Sequence, residues 1–162
     1  MPARGYWLLK TEPTSFSIDD LARLGTAPWD GVRNYQARNH MRDLMRVGDL
    51  ALIYHSSAQP TGAVGVGRIV SKARPDPTAW DPSDEHFDPK ASPENPIWCL
   101  VDVEFVEKFP HFVSLEAMKA NPDLAGMMVT RRGMRLSVQP VEKRHFEIVV
   151  RMGRRIGQDL QD

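Results

Sequence analysis

Five histidines, one cysteine and a short acidic run are the residues of this chain best suited to making or breaking bonds. His40, His55, His86, His111 and His145 are scattered, and none belongs to an HExxH or GxSxG pattern. There is no P-loop and no GxGxxG. Gly65-Val66-Gly67 looks like a glycine-rich turn, but no helix pattern follows it, as phosphate binding would require. Asp84, His86 and Asp88 in DEHFD could offer a metal two carboxylates and an imidazole. Such a set in a loop is common by chance. Cys99 is the only cysteine, which rules out an internal disulfide and a Cys-based zinc site. On the apolar face of a strand it is expected to be inert. An enzyme built on this chain would have to use His55 or His86 as acid and base. With no nucleophile pattern and no partnered base, the prediction is no catalysis, no cofactor and no metal.

A second set of residues suits a different task, gripping a planar heterocycle. Such a pocket needs an aromatic face, which contributes about 1–3 kcal/mol per stacked base, and amides or hydroxyls at the ring edge for selectivity. Trp29 stands with Asp30-Gly31 at a loop tip before a helix pattern, where aromatics are core less often than inside strands. Asn34 and His55-Ser56 could meet the edge of the ring, and Trp80 and Phe87 could form a second wall. Taken singly, each aromatic is more often packing than cage. Trp7 and Trp98, inside strand patterns, read first as packing.

The elements that must position these groups follow from periodicity. YWLLK (6–10) reads as a short buried strand stopped by Glu12-Pro13. A short helix runs from Ser17 to Leu24, with Ser17 as cap, Asp20 at the capping-box position and Gly25 at its end. The clearest helix is 34–47, capped by Asn34 or Asp30. Ala37, Met41, Leu44 and Met45 make its apolar stripe, and Arg38, Arg42 and Arg46 form a basic stripe on another face. Strands 49–55 and 62–74 pair as a hairpin, and Gly65 and Gly67 on one face of the second suggest a bend or a close backbone approach. Six prolines forbid regular pairing in 75–96. A long strand is predicted over 97–109, with Ile97, Cys99, Val101, Val103 and Phe105 on one face. Ser114–Ala120 reads as a short helix, and Pro140 is expected to open a last one, ended by Gly153.

These elements describe an α+β fold around a small, strongly bent sheet or barrel. The 162 residues suit a single domain, taken as 1–155 with a short tail at 156–162. No apolar run could span a membrane and MPARGYWLLKTEP lacks a secretory h-region, so a cytoplasmic place, or a nuclear one in a eukaryote, is expected. The chain is formally neutral, with 21 basic and 21 acidic side chains. The neutrality hides an asymmetry. Residues 75–96 carry Asp76, Asp81, Asp84, Glu85, Asp88 and Glu94 against Lys90, a net −5, so the remainder carries +5. A basic surface beside an acidic loop could receive a polyanion in one place only, or the charges could merely solubilise the surface.

Taken together, YWLLKTEP (6–13), FSIDDL (16–21), WDGVRNYQARNHMR (29–42), GDLALIYHSS (48–57), GVGRIV (65–70), HFDP (86–89), NPIWCLVDVEFV (95–106) and RLSVQPV (135–141) resemble the EVE domain family. The resemblance covers about 5–152. It implies a PUA-like fold, a mixed β pseudobarrel flanked by α-helices, with kinship to YTH domains, and a reader of a modified nucleobase in DNA or RNA. It casts Trp29 as the main wall of a cage, with Lys10-Thr11, Arg33-Asn34 and Tyr54-His55-Ser56 as its polar surroundings. Where the family often reads YHSN, Ser57 stands here and lacks the amide. Arg38 and Arg42 would then hold phosphates, and the partner would be nucleic acid bound by a monomer. Reading one extruded base needs little total charge, so neutrality is no objection.

Overall fold

The computed structural model describes residues 4–155. Its first strand, β1 (Tyr6–Thr11), explains why YWLLK is apolar without alternation. Trp7 and Leu9 point into one core and Leu8 into another, so both faces of the sheet are covered. The chain continues through α1 (Ile18–Leu24), β2 (Thr26–Pro28), α2 (Tyr35–Asn39), β3 (Leu50–His55), β4 (Gly62–Ile69), β5 (Arg74–Pro75), β6 (Cys99–Leu100), β7 (Asp102–Ser114), α3 (Leu115–Ala120), β8 (Val138–Pro140) and α4 (Lys143–Arg154). Six strands form one curled sheet in the order β2-β7-β4-β3-β1-β8, while β5 and β6 make a separate ribbon. β1 runs parallel to β3, and the other neighbours in the large sheet are antiparallel. This is the mixed α+β half-barrel that the family resemblance implied.

One face of the sheet packs Trp7, Leu9, Ala51, Ile53 and Val103 against α1, Trp29 and α2. The other packs Leu8, Leu52 and Val66 against Phe146, Val149 and Val150 of α4, with Met118 of α3. The curl comes from β4. A Cβ on Gly65 would lie 2.3 Å from the Glu107 carbonyl oxygen, and one on Gly67 would lie 2.6 Å from Val103 Cγ1. The β4–β7 register also shifts between Ala63 and Gly65 and between Val66 and Gly67. Glycine at these positions lets the long β7 close onto β4 where bulges bend the sheet.

Four expected elements differ, the first being the strand expected over 62–74, which ends at Ile69. α1 has its expected capping box, Ser17 to the Asp20 amide and Asp20 back to the Ser17 amide, but the helix expected over 34–47 is shorter. Asn34 caps five α-helical residues, after which His40–Leu44 form a π turn closed by Met45 N–H donating to the His40 carbonyl. The wider turn keeps Ala37, Met41 and Met45 in the core and swings Leu44 out to 58% exposure. The long strand starts at Cys99 rather than at 97, because Ile97 takes a left-handed φ of 59°. It then breaks at Val101 and runs on to Ser114, past the expected end. Pro140 closes β8 opposite Trp7 instead of opening a helix. It sits on the sheet edge, where a missing N–H costs no ladder bond. Gly153 lies inside α4, not beyond it, because a Cβ there would lie 2.3 Å from the Phe109 ring.

A buried carboxylate ties the start of β1 to the turn before β3. Asp49 accepts from the Gly5 amide (2.8 Å), the Trp7 indole (2.9 Å) and the Arg46 amide (2.9 Å), and is 3% exposed. Asp49→Ala strands three donors, and we expect it to lower unfolding stability by about 3 kcal/mol in urea titrations. Asp49→Asn should recover only part of this, since its amide NH2 would face donors. A loss below about 0.5 kcal/mol for the alanine variant would show that these bonds contribute little.

Candidate functional site

At the C-terminal end of β1 the sheet, α1 and the acidic loop leave a cleft of about 600 Å³, within the usual range for ligand sites. Lys10, Thr11 and Glu12 come from the end of β1, and Ser15 and Phe16 from the turn before α1. Ala27 to Val32 form the opposite wall, Glu85 and His86 close one side, and Ser137 another. Two aromatic rings meet in this wall. Phe16 and Trp29 are edge to face, 5.9 Å apart at 87°. Trp29 is only 6% exposed and belongs to the main core. Its backbone N–H donates to the Val101 carbonyl. It is therefore core and cleft wall at once, a more buried place than a loop tip suggests.

The acidic loop is folded onto this wall. Asp76, fully buried, accepts from the Gly31 amide (2.9 Å), the Arg33 guanidinium (3.0 Å), and the Thr78 amide and hydroxyl. Burial alone would push its carboxyl up, but these hydrogen bonds outweigh burial and hold it below the ordinary value. Arg33 also donates to the His86 carbonyl, the Val32 carbonyl and the Thr78 hydroxyl. Gly31 (φ 81°) must be glycine, since a Cβ there would stand 2.7 Å from the His86 ring. Desolvation, and then the Asp76 charge, push Asp30 above its ordinary value, with His86 pulling the other way. On the β1 side, Lys10 Nζ donates to the Met134 carbonyl at 2.9 Å, and burial lowers its pKa.

Of the residues singled out in the sequence, Lys10, Thr11, Trp29 and His86 line the cleft. Others are held elsewhere. The Asn34 side chain is spent on the Ala37 amide as a helix cap, and Arg33 is the brace just described. Tyr54 points to the opposite core, its hydroxyl accepting from Thr61. Trp80 packs with Ala79, Ala91 and Trp98 in a third cluster. His55 and Ser56 stand one layer behind the cleft. His55 Nε2 accepts from the Ile18 amide at 3.1 Å, and the Ser56 amide extends the strand ladder to Thr11. Arg42 is paired with Asp43, and Arg38 donates to the Ile97 carbonyl and lies over the Tyr35 ring.

Phe16, Asp30, Gly31 and Glu85 also line the cleft and were not read as a set from sequence. Phe16 is fixed by the Thr11 hydroxyl on its carbonyl and by its own amide on the Glu12 carbonyl. The signal that could have found it is its place one residue before the α1 cap, where the chain must turn back onto the sheet. His86 lies 3.3 Å from Asp84 and 3.7 Å from Glu85. Among the described residues, no group of three or more His, Cys, Asp or Glu is arranged to hold a metal. Cys99 is buried, and desolvation pushes its thiol above the ordinary value.

His55 carries a pH dependence. As an acceptor from Ile18 it must be neutral at Nε2, and desolvation, opposed by Asp19, lowers its pKa below 6.5. The unfolded chain therefore takes the proton more readily. Stability from this group is full above pH 6.5 and erodes as pH falls from there towards the lowered folded value. Half-buried His40 shifts the same way, so His55→Gln should reduce, not abolish, the fall in melting temperature between pH 7 and 5. Identical slopes in the two proteins would remove His55 from this role.

The EVE domain family model matches residues 5–152. Thymocyte nuclear protein 1 of Mus musculus is 40% identical over 165 residues, spanning 90% of this chain and 72% of that protein. A solved structure of a hypothetical protein from Leishmania major is 45% identical, with a TM-score of 0.89 over 99% of this chain and 98% of that one. Human THYN1, solved in complex with 5-methylcytosine-containing DNA, is 36% identical, with a TM-score of 0.85 over 94% of this chain and 99% of that one. With a family match from Gly5 to Met152 and such likeness in sequence and fold, this chain belongs to the EVE domain family.

Proposed function

We propose that this chain is a non-enzymatic module that reads a modified base in DNA, with methylated cytosine the first candidate. The observation that carries the reading is the cleft walled by Trp29 and Phe16, in a domain similar throughout to one solved with 5-methylcytosine-containing DNA. The aromatic pair offers an apolar edge and face to an inserted ring and its methyl group. Asp30 and Glu85 are acceptors for an exocyclic amine, and Lys10, Thr11 and Ser137 are polar groups at the same mouth. A base must leave the stack to enter, which a methylated or single-stranded base does at a cost of a few kcal/mol. The carboxylates that suit a base edge repel a phosphate, so the cleft favours the base over its backbone.

The test is affinity for short oligonucleotides with cytosine or 5-methylcytosine, single-stranded and duplex. Trp29→Phe keeps most of the buried volume and Phe16→Leu removes the second ring. Each should weaken binding of the methylated oligonucleotide by about 1–2 kcal/mol and shrink its advantage over the unmethylated one, with the fold retained by circular dichroism. Equal binding of both oligonucleotides by the parent, or unchanged discrimination in both variants, would sink the reading. His86, which lines the cleft with Asp84 beside it, is the group there best placed to move a proton. Release of base or phosphate from a nucleoside panel, abolished by His86→Gln, would replace a reader by an enzyme.

A further inference from the structure

Several arginines of this chain are neutralised by carboxylates. Arg68 pairs with Glu104, Arg74 with Asp102, Arg154 with Glu107 and Arg42 with Asp43. Three arginines without such a partner, Arg131, Arg132 and Arg135, share one turn. All three are exposed, and none has a carboxylate within ion-pair distance among the described residues. Arg131 makes one long contact, 3.5 Å to the Gly126 carbonyl. The turn itself is not loose. Met134 packs against the main core and Leu136 lies within it. The Arg131 amide donates to the Met128 carbonyl, and Gly133 takes a φ of 72° to reverse the chain. Two bonds from one residue then pin the turn to the cleft: Lys10 Nζ to the Met134 carbonyl, and the Lys10 amide to the Ser137 carbonyl, both at 2.9 Å. Lys10 and Ser137 are themselves cleft wall.

We infer that the 131–135 turn is the phosphate grip of this domain: its arginines hold the nucleic-acid backbone flanking the base in the cleft. This rests on the reading of the cleft as a base pocket. Guanidinium groups bind phosphate oxygens with two N–H donors at once. Three unpaired ones on a turn fixed to the pocket rim set the register of the strand, while the acidic wall opposite leaves the backbone no second path. The assignment differs from the basic stripe of α2, where Arg42 is neutralised by Asp43 and Arg38 is spent on the Ile97 carbonyl and Asn39.

The experiment measures affinity against salt concentration for methylated and unmethylated oligonucleotides. For the double variant Arg131→Gln/Arg132→Gln, we expect binding of both to weaken roughly tenfold at low salt and the slope of log affinity against log salt to fall by about two. Discrimination between the two oligonucleotides and the melting temperature should be unchanged. Arg42→Gln is the comparator and should leave the slope alone. An unchanged slope in the double variant, or a fall with Arg42→Gln instead, overturns the phosphate grip while the base pocket stands. A flattened slope with no parental discrimination overturns the base pocket and leaves the turn as a nucleic-acid contact. A parent that binds neither oligonucleotide overturns both.

Discussion

The site depends on one buried carboxylate. Asp76 has no exposed surface, yet it satisfies the amide of Gly31, the guanidinium of Arg33 and both polar groups of Thr78. A charge out of water is tolerated only when donors surround it, and here each donor belongs to a part of the site. Gly31 sets the turn after Trp29. Arg33 carries the carbonyl of His86, which brings that imidazole against Gly31. Thr78 starts the path of the acidic loop. Without this node the loop has little to fold around, because prolines deny it a ladder and its own core is the small cluster of Ala79, Ala91 and Trp98. The loop's negative charge is therefore not a solvated tail but part of the cleft wall, where Glu85 faces the space and Asp30 is driven upward in pKa.

The sheet divides its two faces between a helix-covered core and the core that borders the cleft. α4 and α3 cover one face with apolar side chains, and Gly153 lets α4 sit directly on the Phe109 ring. The other face carries α1, Trp29 and α2, the elements that shape the cleft. β1 lies between β3 and β8 in the sheet. Its last residues, Lys10 and Thr11, project past the core into the cleft. This arrangement lets Trp29 line the cleft without being free. Its ring is held by Phe16 and the core, so little ordering remains to be done when a ring is inserted.

Much of the fold was legible because it rests on local rules. Ser17, Asp20 and Gly25 specify α1, and Gly65 with Gly67 announces the bend of β4. The YWLLK, WDGVRNYQARN and YHSS segments together point to the family, and with it to the half-barrel. What escaped lay in long-range partners. The π turn at His40–Leu44 rotates Leu44 outward, which no 3.6-residue period foresees. Ile97 reads as strand but adopts a positive φ so that Trp98 can reach Asp88. His55 and Asn34 looked like ligand contacts because they flank the right segments, yet the backbone claims both, Asn34 for α2 and His55 for α1. Phe16 was overlooked because its role appears only when α1 is folded back over β1.

The chain's formal neutrality then acquires a spatial meaning. Glu12, Asp30 and Glu85 line the cleft against Lys10 and His86. Arginines along the sheet and helices are largely balanced by carboxylates a few ångströms away. Exposed pairs of this kind contribute little to stability, but they erase a diffuse positive field that would attract any polyanion. On the proposed reading, the three arginines clustered on one turn tied to the cleft concentrate attraction there, and its strength falls off within about 10 Å at moderate salt. A protein with a uniform basic surface would hold nucleic acid in many registers and seldom present a base to a single pocket. If the cleft is a base pocket as proposed, cancelling charge on the sheet and helices weakens total affinity and concentrates more of what remains beside the cleft.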